Sequence, residues 1–141
     1  MSIVLGYDES PGARRALITA IDLADRFDEV LVLVYGVAPP GGVGDEHRTY
    51  QEALTEMGRT ATEHAVAQAE SAGVPTVVEI IADKPAQAII AAADKHDAQV
   101  IVVGTYGESP LRGAMLGSTP HKLLHLSSRP VLCVPAHHPE I

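Results

Sequence analysis

The stretch from Gly104 to Ser118, GTYGESPLRGAMLGS, carries the residue types and spacing best suited to chemistry in this chain. Glycines stand at Gly104, Gly107, Gly113 and Gly117, and the hydroxyls of Ser118 and Thr119 close the run. Glycine takes positive φ without penalty and lets a ligand approach the main chain. The run follows an apolar segment, Val100-Ile101-Val102-Val103, and ends at Thr119-Pro120, where a helix can begin. Successive N–H groups between a strand end and a helix N-terminus make an anion site, because the helix dipole is positive there. The chemistry is therefore phosphate binding. Glycines alone fit a long connector equally well, since such patterns are weak in isolation. A second polar feature, Asp8, directly follows the first apolar segment.

Other reactive constellations are thin. Neither GxxxxGK[ST] nor GxSxG occurs, so neither P-loop chemistry nor a serine nucleophile at Ser10 or Ser118 is supported. The HxGH signature of nucleotidyltransferases is absent too, and no acid–base pair stands out. His121 and His125 share a helix face at i, i+4 spacing, but two histidines without a third ligand rarely make a closed metal site. His64 lies beside an apolar stripe and is expected half-buried. His137 and His138 read as an exposed tail. Cys133 alternates within a strand and reads as a small hydrophobe rather than a nucleophile. Arg112 lies within the glycine run, where a loop charge usually faces water.

The elements that must position Asp8 and the glycine run follow from periodicity. Ser2–Gly6 is a short apolar strand. Ser10 caps a helix with Pro11 at its first position, and Ala13, Ala16, Leu17, Ala20, Ile21, Ala24 and Phe27 form one face. Glu29–Tyr35 reads as a second buried strand, and Gly36–Arg48 as a Pro/Gly-rich loop. A helix runs from Thr49 to about Ala72, with Tyr50, Leu54, Met57, Ala61, Ala65, Ala69 and Ala72 inward and Gly73 as its stop. A strand at Val74–Ile81, a helix from Pro85 carrying Ala86, Ile89, Ile90 and Ala93 inward, and a strand at Ala98–Val103 follow. Beyond the glycine run come a helix over Thr119–Leu126, with Leu123, Leu124 and Leu126, and a strand at Pro130–Pro135. Apolar strands alternating with amphipathic helices predict an α/β fold, a doubly wound five-stranded parallel sheet covered on both faces. Ligands in such sheets sit beyond the carboxyl ends of the strands, which is where Asp8 and the glycine run fall.

Composition agrees and excludes. The 141 residues read as one domain, residues 1–141, with 46% hydrophobic and 20% charged residues and hence a real core. A net charge of −8 argues against nucleic acid and against an anionic lipid surface. No apolar run reaches the roughly 20 residues that span a bilayer. The N-terminus enters a strand at once without a basic leader, so the expected compartment is the cytoplasm.

The opening IVLGYDESPGARRAL, the spacing glycine, two residues, glycine, nine residues, glycine, serine at Gly104, Gly107, Gly117 and Ser118, and the close GSTPHKLLHLSSRPVLCVPA together resemble the universal stress protein family, in particular its ATP-binding members. The resemblance covers nearly the whole chain. It implies strand order 3-2-1-4-5, which sets Asp8 beside the glycine run. It implies that Asp8 accepts hydrogen bonds from ribose hydroxyls, and that Gly104 and Gly107 let the main chain pass under ribose and phosphates. Gly117, Ser118 and Thr119 would hold phosphate oxygens, and Gly36 and Val37 would flank adenine. ATP is the implied ligand, with Mg²⁺ or Mn²⁺ bridging phosphates rather than sitting in a protein cage. A homodimer through the last strand, Val131–Val134, is implied as well. One departure stands out: Glu9 occupies a place where the family often has a small residue, and a carboxylate there costs binding unless it points away. The expected function is ATP-dependent sensing or signalling in a stress response, without evident catalytic groups. The rivals are a slow ATPase or phosphoryl-transfer enzyme, and a nucleotide-free interaction module.

Overall fold

A computed structural model of the chain describes residues 1–37, 45–105 and 116–136. The elements are β1 (Ser2–Gly6), α1 (Pro11–Phe27), β2 (Val30–Gly36), α2 (Asp45–Ser71), β3 (Thr76–Ile81), α3 (Pro85–Lys95), β4 (Ala98–Gly104), α4 (Ser118–Leu126) and β5 (Val131–Val134). All strand pairs are parallel, in the order β3-β2-β1-β4-β5. The order reverses between β1 and β4, so the chain's switch point lies at the carboxyl ends of those two strands. There Leu5 pairs with Leu33 on one side and Val102 on the other.

Period-two alternation divides the core between the faces of the sheet. Ile3, Leu5, Leu31 and Leu33 pack against Ala16, Leu17 and Ala20 of α1 and Ala65 and Ala69 of α2. Val4, Val32, Ile101 and Val103 pack against Ala88, Ile89 and Ala92 of α3 and Leu123 of α4. Every one of these side chains is at most 3% exposed, which is why the central strands read as continuous apolar runs. Both edges, β3 and β5, keep one side of their backbone unpaired in this sheet.

Element ends are set by local chemistry. Ser10 Oγ accepts from Ala13 N at 3.1 Å, closing the first turn of α1. Asp28 ends that helix in the left-handed region, at φ 53°. Helix α2 begins at Asp45, four residues before the apolar stripe predicts, and acids at its start, Asp45 and Glu46, suit the positive end of a helix. Gly73 N and Val74 N close its other end on Glu70 and Ala69 carbonyls, so Val74 is buried but belongs to the turn rather than to β3.

Several residues expected inward are not. Phe27 is 50% exposed, Met57 56%, and Leu124 and Leu126 more than half, while Ala72 and His64 lie on the surface. Helix α2 buries a narrow stripe of Leu54, Ala61, Ala65 and Ala69 with Thr62, whose hydroxyl donates to the Gly58 carbonyl at 2.8 Å. Cys133 is half-buried against the α3–α4 face, and burial pushes its thiol upward, away from the reactive thiolate.

Candidate functional site

Glycine ends each of the three central strands, and each end is a place of close approach. A Cβ on Gly36 would stand 2.7 Å from the Ala88 Cβ and 3.3 Å from the Pro85 Cα. A Cβ on Gly6 would meet the Ile89 side chain. A Cβ on Gly104 would stand 2.7 Å from the Gly12 carbonyl carbon and 2.8 Å from its oxygen. The glycines thus bring α3 down onto β1 and β2, and the first turn of α1 onto β4. The N-termini of α1 and α3 therefore close over the strand ends, and the start of α4 lines the same cleft.

The ends of the glycine run are joined by main-chain bonds. Thr105 N donates to Val134 O at 3.1 Å, and Gly117 N donates to Thr105 O at 2.7 Å. Gly117 is the N-cap of α4, with φ −61° and ψ 162°, and its carbonyl accepts from His121 N at 3.1 Å. No side chain caps this helix. Pro120 has no N–H, so the amides left free by the first turn are those of Ser118 and Thr119, and neither has an acceptor among the described residues. This is a donor pair at the positive end of a helix.

Opposite them stands the turn after β1. Asp8 Oδ1 accepts from Ser10 N at 3.0 Å, and Ser10 in turn caps α1. Between them Glu9 takes φ 63°, the left-handed region that favours glycine. Glu9 lines a shallow groove with Asp8, Tyr35, Glu56, Met57 and Thr60, and its carboxylate stands 3.9 Å from the Arg14 guanidinium. Asp8 borders this groove as well as the cleft described below, whereas Glu9 does not line that cleft. Tyr35, in the same groove, has its phenol pushed above its ordinary pKa, first by burial and then by the Asp8 and Glu9 carboxylates. Glu9→Gly should relieve the strained backbone and stabilise the fold by about 1 kcal/mol, since the exposed pair with Arg14 contributes little. The expected rise of about 3 °C in melting temperature is read by calorimetry; a fall would mean the ion pair outweighs the strain.

Asp8, Gly36, Gly104, Gly117, Ser118 and Thr119 line one cleft of about 260 Å³, with Gly6, Tyr7, Ser10, Pro85 and Ile89. Six of the sequence-predicted site residues are thus brought together. Val37 falls in a neighbouring hollow with Tyr35, Leu54 and Ile80 instead. Gly107, Gly113 and Arg112 lie outside the described residues, as do His137 and His138. Gly6, Tyr7, Ser10, Pro85 and Ile89 are among the contributors that motif reading missed. Ser10 and Pro85 carried only helix-start signals, and nothing local tells that Gly6 sits under Ile89. The first turns of α1, α3 and α4 hold no acidic residue. In a chain with 18 acids and 10 bases, the ends best stabilised by acids have been left without them where they meet the cleft. His121 and His125 stack edge to face with ring centroids 4.7 Å apart, and among the described residues no group of three ligating side chains surrounds a metal position.

A parallel doubly wound sheet with a cleft at its switch point, lined by the first residues of a helix, defines the class: an α/β domain of the Rossmann-like kind. The model of the universal stress protein family matches residues 1–135, and the chain belongs to that family. A universal stress protein of Methanocaldococcus jannaschii is 32% identical over 136 residues, covering 94% of this chain and 80% of its own length. A second protein of that organism, its structure solved to assign a biochemical function, superposes with a TM-score of 0.87 at 22% identity and 98% coverage of both chains. The Archaeoglobus fulgidus universal stress protein in complex with dAMP gives a TM-score of 0.70 at 23% identity, covering 95% of this chain and 97% of its own. At these identities the solved structures speak for the fold. Among the described residues no helix is long and apolar enough to cross a membrane.

Proposed function

We propose that this chain binds an adenine nucleotide, ATP in the first place, in the cleft between β1 and β4, and serves as a nucleotide-responsive sensor in the cell's stress response. The observation that carries the reading is the pairing, across one cleft, of the free Ser118 and Thr119 amides with the Asp8 carboxylate. Amides at a helix N-terminus select an anion, and a carboxylate accepts only from donors such as sugar hydroxyls. A ligand with phosphate at one end and a diol a few ångströms away satisfies both. A family relative of the same fold holds dAMP, which supports an adenine nucleotide as the ligand class. Magnesium or manganese would ride on the phosphates, because the described residues offer no ligand set of their own. The protein is read as cytoplasmic.

Calorimetry with ATP tests the site. Gly117→Ala should weaken binding by roughly tenfold or more, because the added methyl enters the space between Ser118 N–H and the phosphate. Its backbone angles suit alanine, so the fold should survive at the cost of about 0.5–1 kcal/mol for the poorer N-cap. Unchanged affinity would reject the loop assignment. Release of ADP in a single turnover would favour a slow ATPase, and no heat with any nucleotide would favour an interaction module.

A homodimer through β5 belongs to the same reading. β5 is a sheet edge, and Leu132 is 38% exposed on it. Pairing two such edges extends the ladder and covers the leucine. Leu132→Lys should shift the protein toward monomer in light scattering; an unchanged mass places the interface elsewhere or denies it.

A further inference from the structure

We infer that Ser10 is the positioning residue of the sugar subsite, holding Asp8 by the same main-chain geometry with which it caps α1. The inference rests on the nucleotide reading above and deepens it. Ser10 is 1% exposed, and all three of its polar groups are engaged. Its Oγ accepts from Ala13 N at 3.1 Å and its carbonyl accepts from Arg14 N at 2.9 Å. Its own N–H donates to Asp8 Oδ1 at 3.0 Å. Two of these bonds anchor Ser10 to the helix, and the third fastens the carboxylate.

Asp8 itself is solvent-exposed, and among the described residues this bond is its one hydrogen bond. Without it the side chain is free to move among its staggered rotamers. With Oδ1 tied, Oδ2 remains for a ligand's hydroxyls in a fixed direction. Between the two bonded residues Glu9 takes φ 63°, a strained conformation of the kind that collects at preorganised sites. The helix cap and the ligand's diol are then coupled through one amide. Coupling is reciprocal: a loosened cap weakens the grip on the diol, and a bound diol tightens the cap.

The test compares ATP with 2′,3′-dideoxy-ATP by calorimetry on the parent, Ser10→Ala, Ser10→Thr and Asp8→Ala. The parent should favour ATP, and Asp8→Ala should remove that preference. Ser10→Ala should weaken ATP by about fivefold, the ceiling set by the usual worth of an N-cap, and leave the dideoxy form nearly unchanged. Ser10→Thr, which caps as well, should restore the preference. Equal losses for both nucleotides would reduce Ser10 to a structural cap, and no loss would overturn the inference while leaving the nucleotide reading intact. A parent that binds neither nucleotide would end both. Should Ser10→Ala fail to fold, hydrogen exchange of the parent decides: saturating ATP should slow the Ala13 amide and dideoxy-ATP should not, and no difference overturns the inference.

Discussion

Gly104→Ala is expected to lower the melting temperature by about 10 °C, the largest stability effect of any single methyl at this site. The reason is the identity of the neighbour. The new Cβ would stand 2.7 Å from the Gly12 carbonyl carbon and 2.8 Å from its oxygen, both main-chain atoms in the first turn of a helix. A side chain can rotate away, but here α1 must lift off β4, which costs about 3 kcal/mol. The neighbouring glycines rank by the same logic. Gly36→Ala meets the Ala88 Cβ at 2.7 Å, a methyl that cannot rotate aside, so α3 must shift slightly. Gly6→Ala meets the outer end of the Ile89 side chain, which can turn, at the expense of cleft volume. The expected order of melting temperatures is therefore parent, Gly6→Ala, Gly36→Ala, Gly104→Ala, read by calorimetry. A Gly104→Ala protein within 2 °C of the parent, against the expected loss of roughly 10 °C, would show that α1 and β4 lie farther apart.

This ranking marks what sequence can and cannot tell. The alternation of apolar strands and amphipathic helices is local, and it placed all nine elements and the cleft at the strand ends. A glycine's reason for being glycine is not local. Gly104 reads as room for a ligand, yet its missing methyl is also filled by Gly12, some ninety residues earlier in the chain. Strand order has the same character: periodicity gives parallel strands, whereas the adjacency of β1 and β4 entered through family resemblance and is what unites Asp8 with Ser118. Met57 and His64 lie outside the core for a related reason. A 3.6-residue stripe tells which face turns inward but not how far the underlying sheet extends, and α2 overhangs an edge where Val77 and Val78 are themselves exposed. Glu9 reads as an obstacle because sequence gives proximity alone; in the fold it pairs with Arg14 and does not line the cleft.

Ser118→Glu should move stability and binding in opposite directions. Ser118 is the first residue of α4, exposed, in a helix whose first turn has no acid and whose N-cap Gly117 supplies no side-chain acceptor. A carboxylate there meets the positive end of the helix and the free amides, and should stabilise the fold by about 0.5 kcal/mol, or 1–2 °C. The same carboxylate occupies the electrostatic position of a phosphate. Like charges side by side cost several kcal/mol, so the ATP dissociation constant should rise roughly a hundredfold. Ser118→Gln separates charge from bulk: it has the same length, no charge and no gain from the dipole, and should weaken binding by no more than about tenfold through the lost hydroxyl. Thermal melts with calorimetric titration of the two variants provide the readout. Equal weakening by Glu and Gln would make the effect steric, and unchanged binding in Ser118→Glu would place the phosphates away from α4. On the proposed nucleotide reading the unfilled helix end follows from function: an acid at that position would make a more stable protein with no room for a phosphate's charge.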